Sequence, residues 1–193
     1  MILSDKEHKI ITDTEFLLTK NSAIVKIYNL LEEVNINLLG SIKNSNFTFD
    51  PNIDVKVGKI FKGENYNGLP YLVLDFPKLF SKSDIFSFRT MFWWGHFYSS
   101  TLHIEGKSLE KYRANIVNNI SSYLDHDIYI CINETPWEYN YEKYNYVLLN
   151  RDNLELFEKC KFIKLSKKFD LNQYQVLPSL SNSFLKLILD ILS

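Results

Sequence analysis

Cysteine is almost missing from this chain: its 193 residues include only Cys131 and Cys160. Two cysteines cannot build a disulfide framework for a chain of this size, and neither stands in a metal-binding or redox spacing. A reducing compartment, the cytoplasm, is therefore expected. Glycine and proline are also scarce, at six and five residues. That excludes linker-like or low-complexity architecture and points to long regular elements joined by short connections. Net charge is nearly absent as well, at −1, so the chain lacks the basic footprint of a dedicated nucleic-acid binder. No run approaches the ~18 apolar residues of a membrane span. The opening segment, Met1 to Lys9, is polar and charged, so no signal peptide is expected.

The hardware of several chemistries is missing too. There is no Gly-x-Gly-x-x-Gly, no Gly-Lys-Ser/Thr phosphate loop and no Gly-x-Ser-x-Gly elbow, which removes the usual means of cradling a nucleotide or activating a serine. The four histidines, His8, His96, His103 and His126, form no helical pair and no tight motif with cysteine or carboxylate. His103 and Glu105 share one side of a strand, which alone is too common to define a metal site. No cofactor and no metal are expected. Cys131 lies inside the apolar run Ile128 to Ile132 and reads as a buried small hydrophobe rather than a nucleophile.

What the chain has in abundance is aromatic residues: 15% of the total, with 14 Phe, 12 Tyr and 3 Trp, concentrated between Phe47 and Tyr146. Such enrichment favours strands. No internal repeat or linker divides the chain, so residues 1–193 read as a single domain. It opens with helix. Thr12 and Asp13 can cap a run whose apolar positions, from Phe16 and Leu17 to Val34 and Leu38, recur at steps of three and four, as one helix or as two broken near Asn21. Strands are expected over 54–61, 69–76, 84–93 and 96–105, then a helix capped by Ser108 with the stripe Leu109, Tyr112, Ile116, Ile120. Further strands are expected at 127–133, 144–149 and 161–165, with a short helix at 152–159. Leu180, Phe184, Leu187, Ile188 and Ile191 mark a C-terminal amphipathic helix. This order is that of an α+β domain: an antiparallel sheet of five to six strands, with N-terminal, middle and C-terminal helices mainly on one face.

The segment from Ile85 to Glu105 is the most informative. A three-residue turn at Trp94, Gly95 and His96, with Gly95 supplying the unusual backbone angle, would set Phe86, Phe88 and Phe92 against Ile104, Leu102 and Tyr98 on one apolar face. The other face would carry Ser87, Arg89, Met91 and Trp93 beside Phe97, Ser99, Thr101, His103 and Glu105. A two-residue turn would mix polar and apolar residues on both faces, because a one-residue slip inverts a strand. In the preceding strand Tyr71, Val73 and Asp75 share a side, and Asp75 is placed to make a planar two-bond pair with Arg89.

This mixed face is the candidate ligand site: Tyr71, Asp75, Arg89, Trp93, Ser99, Thr101 and His103 supply apolar walls with a few convergent polar groups. The same residues have a plainer reading as a structural ion pair and ordinary strand surface, or as a partner or homodimer surface through Trp93 and Phe97. The Tyr-rich connection Glu134 to Tyr146 reads as a lid over the sheet in preference to a recognition loop. The lysines 159, 161, 164, 167 and 168 read as the protection of an exposed strand edge rather than a nucleic-acid patch. The favoured function is a non-catalytic module that binds a small molecule or a protein partner through this face, with no role for nucleic acid or membrane and with homodimerisation open. The alternative is an enzyme in which His103 is the acid or base, Arg89 clamps a small anionic substrate and Asp75 orients one of them.

Overall fold

A computed structural model describes residues 2–193. The chain begins with α1 (Asp5–Thr12) and α2 (Thr14–Lys43). The break falls at Asp13, whose carboxylate accepts the Phe16 N–H at 2.8 Å and so starts a new helix. Asn21 lies inside an unbroken helix, since nothing at that position removes a backbone hydrogen bond. Four strands then run as a meander, β1 (Lys59–Tyr66), β2 (Leu69–Phe80), β3 (Asp84–Trp93) and β4 (Phe97–Gly106), followed by α3 (Lys107–Asn119). The rest is β5 (Tyr129–Cys131), β6 (Tyr146–Leu148), the short α4 (Leu156–Lys159), β7 (Phe162–Phe169) and α5 (Leu177–Leu192).

All seven strands pair antiparallel in the order β1-β2-β3-β4-β7-β5-β6. The α+β class is as expected, with one strand more than the upper count. β1 starts later than expected because the Asp54 carboxylate accepts the Lys56 and Val57 N–H groups at 2.9 and 3.1 Å and turns the chain there. The 152–159 segment is helical only at its end, its first part being a 3-10 turn capped by Asn150.

The central hairpin has the register that its side-chain alternation demands. Phe86 pairs with Ile104, Phe88 with Leu102 and Phe92 with Tyr98, around a turn in which Gly95 holds φ at 72°. These side chains face α2, α3 and α5, where Leu31, Val34, Leu38, Ile116, Phe184 and Ile188 complete one apolar cluster. Within it, Ser181 of α5 bonds Thr90 and Ser100 at 2.9 Å each, so the hydroxyls buried under that helix satisfy one another.

Ser108 does not cap α3. The cap position is Gly106, at φ 66°, where a side chain would run into the Ser83 carbonyl. Asp84 of β3 takes over the capping role, its carboxylate accepting the Ser108 N–H at 2.7 Å.

β7 is the clearest departure from expectation. It lies between β4 and β5, so its lysines do not guard an exposed edge. Ile163 and Leu165 point into the helix-side core, and the alternation sends Lys164 and Ser166 to the opposite face.

Candidate functional site

The face opposite the helices carries a second, smaller apolar cluster of Val73, Met91, Trp93 and Phe97, with Phe61, Tyr66, Tyr71, Tyr139 and Tyr141 packed against it. The last two come from the connection between β5 and β6, residues 132–145, which crosses the sheet as a lid. Tyr66 anchors it: its hydroxyl accepts the N–H groups of Tyr139 and Asn140 at 2.7 and 2.9 Å and donates to the Glu138 carboxylate at 2.9 Å. Asn145 then bonds the Asn140 carbonyl at 2.6 Å, and Tyr141 meets the Ser166 hydroxyl.

Beneath the lid, Arg89 makes the two-bond pair with Asp75, its Nε and Nη2 donating to the two carboxylate oxygens at 2.7 Å each. Its Nη1 donates to the Tyr139 hydroxyl at 2.6 Å, and the guanidinium lies 5.1 Å from that ring's centre and 5.6 Å from that of Phe61. Burial pushes the guanidinium down, but Asp75 and Tyr139 push it up by more, so Arg89 stays charged.

Lys164 is a functional group of this face that sequence reasoning missed. It is 0% exposed; its Nζ donates to the carbonyls of Pro136 and Glu138 at 2.7 Å each and lies 4.2 Å from the Tyr139 ring centre. It ties the lid to the middle of the sheet. Burial drives its pKa down to about 7. The unfolded chain, with an ordinary lysine, then holds more protons than the native state from about pH 7 up to about 10.4, so stability rises with pH across that window. The advantage of wild type over Lys164→Met in urea unfolding is expected to grow from pH 7 to pH 9, by up to about 1.4 kcal/mol per pH unit. Taking the difference cancels the tyrosines common to both proteins. A constant difference would mean that Lys164 titrates as it does in water.

The structure gathers the seven predicted residues on one face, but not around one opening. Tyr71, Asp75, Arg89 and Trp93 lie on β2 and β3, Ser99, Thr101 and His103 on β4, and only Tyr71 and Arg89 of the seven are more than slightly exposed. Trp93 and Phe97, read as a candidate contact surface, are instead covered: Trp93 stacks on His96 at 3.6 Å and meets Tyr66, while Tyr141 caps Phe97. Thr101 is satisfied by Ser166 at 2.6 Å. His103 is 4% exposed, sealed by Trp137 and Phe162. Burial, with Lys164 and Arg89 nearby, brings its pKa down to about 3. The imidazole is therefore neutral, and Glu105 at 3.6 Å is a neighbour rather than an ion-pair partner.

One groove of about 570 Å³ opens at the margin of the lid, within the size range of small-molecule sites. Asp75 and Arg89 line it together with Phe61, Phe80 and Trp137, and with Lys59 and Lys78 at its rim. Trp137 is 52% exposed. Lys78 is held by Asp54 at 2.7 Å, whereas Lys59 has no ion pair among the described residues. A separate groove of about 770 Å³ runs between the end of β5 and the start of β7, lined by Cys131, Cys160, Ile132 and Phe162. Burial raises both thiols, so it presents no activated nucleophile.

No group of three or more metal-ligating side chains occurs among the described residues, and no described helix is long and apolar enough to cross a membrane. Comparison of the chain with known proteins finds no matching family model, no matching curated protein and no matching solved structure.

Proposed function

We propose that the protein is a non-catalytic binding module of the cytoplasm that holds a compact, partly apolar acid, either free or as a side chain of a protein partner, in the groove beside the lid. The observation that carries this reading is the position of Arg89 in that groove. Guanidinium has five N–H donors; Asp75 and Tyr139 take three, which leaves two to meet a carboxylate. Phe61, Phe80 and Trp137 supply the apolar walls, and the unpaired Lys59 adds charge at the rim. Binding through fixed donors on a rigid sheet needs no movement of the lid. Catalysis by His103 finds no support here, because the imidazole does not line the groove that contains Arg89.

A thermal-shift screen against small aromatic and aliphatic carboxylates, with amines and neutral analogues as controls, tests the proposal. A ligand at 100 times its dissociation constant stabilises the native state by about 2.7 kcal/mol, and Trp137→Ala is expected to abolish the shift. Trp137 is half-exposed, and the melting temperature of unliganded Trp137→Ala, read in the same screen, checks that the variant keeps the fold. Failure of every carboxylate, or a shift unchanged in Trp137→Ala, would exclude the groove as the binding site.

A further inference from the structure

The first two helices leave a large apolar surface with nothing packed on it. No residue from 2 to 30 is buried, although Leu3, Ile10, Ile11, Phe16, Leu17, Leu18, Val25 and Tyr28 are all large, apolar and exposed, Leu18 to 64%. Single exposed hydrophobes are ordinary, but a contiguous set marks a contact surface. The set also continues a buried one. Within α2, Leu17, Ile24, Leu31 and Leu38 recur every seven residues. Leu31 and Leu38 are 0% exposed in the core, whereas Ile24 is only half-buried and Leu17, further out on the same row, is exposed. Leu18 and Val25 of α2 form a second row beside the first, and together they make the broad stripe of a packing helix.

The charges on this arm indicate what covers it. Residues 5–15 carry Asp5, Glu7, Asp13 and Glu15 against Lys6 and Lys9, whereas residues 16–28 carry Lys20 and Lys26 and no acid. The arm as a whole is neutral, which gives it no attraction to an anionic bilayer. Its two halves have opposite sign, so an antiparallel copy sets acidic half against basic half at both ends. The same pairing opposes the helix dipoles. We infer that the protein forms a two-fold symmetric homodimer in which the N-terminal arms, α1 and the first half of α2, pack antiparallel through the Leu17/Leu18 stripe.

Light scattering coupled to size exclusion at about 50 μM tests this. Wild type is expected to have twice the chain mass. Leu17→Glu/Leu18→Glu is expected to be monomeric, weakened by about 100-fold or more, as loss of central anchors requires. Trp93, Trp94 and Trp137 all lie outside the arm, so unchanged tryptophan fluorescence shows that the domain is intact. Lys20→Glu/Lys26→Glu is expected to lose about tenfold at low salt, and the loss should shrink as salt screens the charges. A monomeric wild type at this concentration overturns the inference, as does a wild type that is monomeric and binds phosphatidylcholine vesicles instead. So does a dimer that persists in Leu17→Glu/Leu18→Glu, since another surface then holds it. If the Lys20→Glu/Lys26→Glu variant associates as wild type does at every salt concentration, the antiparallel pairing is overturned.

Discussion

Arg89→Ala is expected to destabilise the protein by about 3 to 5 kcal/mol, the usual consequence of removing one partner from a buried ion pair. Asp75 would remain almost fully buried, with the Ser87 hydroxyl at 3.2 Å as its remaining side-chain donor. A carboxylate stripped of its counter-charge in that setting must either stay ionised at high cost or take up a proton. Tyr139 would lose its bond from Nη1, and with it one of the ties that hold the lid down. Arg89→Lys is expected to recover only part of the loss, because an ammonium cannot reproduce the planar two-bond pairing. Asp75→Leu combined with Arg89→Met should be less damaging than Arg89→Ala alone, since no charge is then left unpaired. Urea unfolding at pH 7 measures all three. A loss below about 1 kcal/mol in Arg89→Ala would place the pair among weakly coupled surface ions.

Phe88→Ala should cost a similar amount, about 3 to 5 kcal/mol, for a different reason. Phe88 sits in the middle of β3, fully buried, opposite Leu102 and 5.8 Å from the ring of Phe184 on α5. Truncation removes apolar surface from the contact between sheet and helix and leaves a cavity that flanking strands and a long helix cannot close. Phe80, which ends β2 and is 45% exposed, is the control: Phe80→Ala should cost about 1 kcal/mol, well below the loss at Phe88. Comparable losses at Phe80 and Phe88 would mean that the hairpin register is wrong. Both large changes fall within the 5 to 15 kcal/mol that stabilises an ordinary domain, so either variant could be poorly populated at elevated temperature.

The two effects separate what each face of the sheet does. The helix side holds the fold by burying apolar area in the ordinary way. The lid side is held by a polar network, in which Lys164, Arg89 and Tyr66 each bond lid and sheet or fasten the lid directly. Such a network rigidifies the structure most where its members are satisfied. The Nε2 of His103 and the hydroxyl of Tyr146 have no hydrogen-bond partner there, which leaves the His103 region as the least satisfied part of the network.

Much of this was legible in the chain. The hairpin register, the two-bond Asp75–Arg89 pair and the lid follow from period-2 alternation, a single well-placed glycine and the run of tyrosines, because these are local signals and a strand's two faces must sort apolar from polar. The stretch of lysines near residue 164 could not be read in the same way. The identical alternation Phe162-Ile163-Lys164-Leu165 suits an exposed edge strand or a central one. The difference lies in strand order, which depends on contacts far apart in sequence and leaves no local trace. With β7 between β4 and β5, Lys164 became a buried tie for the lid and His103 was closed off from solvent, while the Arg89 end of the polar-aromatic face stayed open. The residues of the face were determined by the sequence alone; which of them meet solvent was decided by tertiary packing, because burial is a property of what covers a side chain and not of the side chain itself.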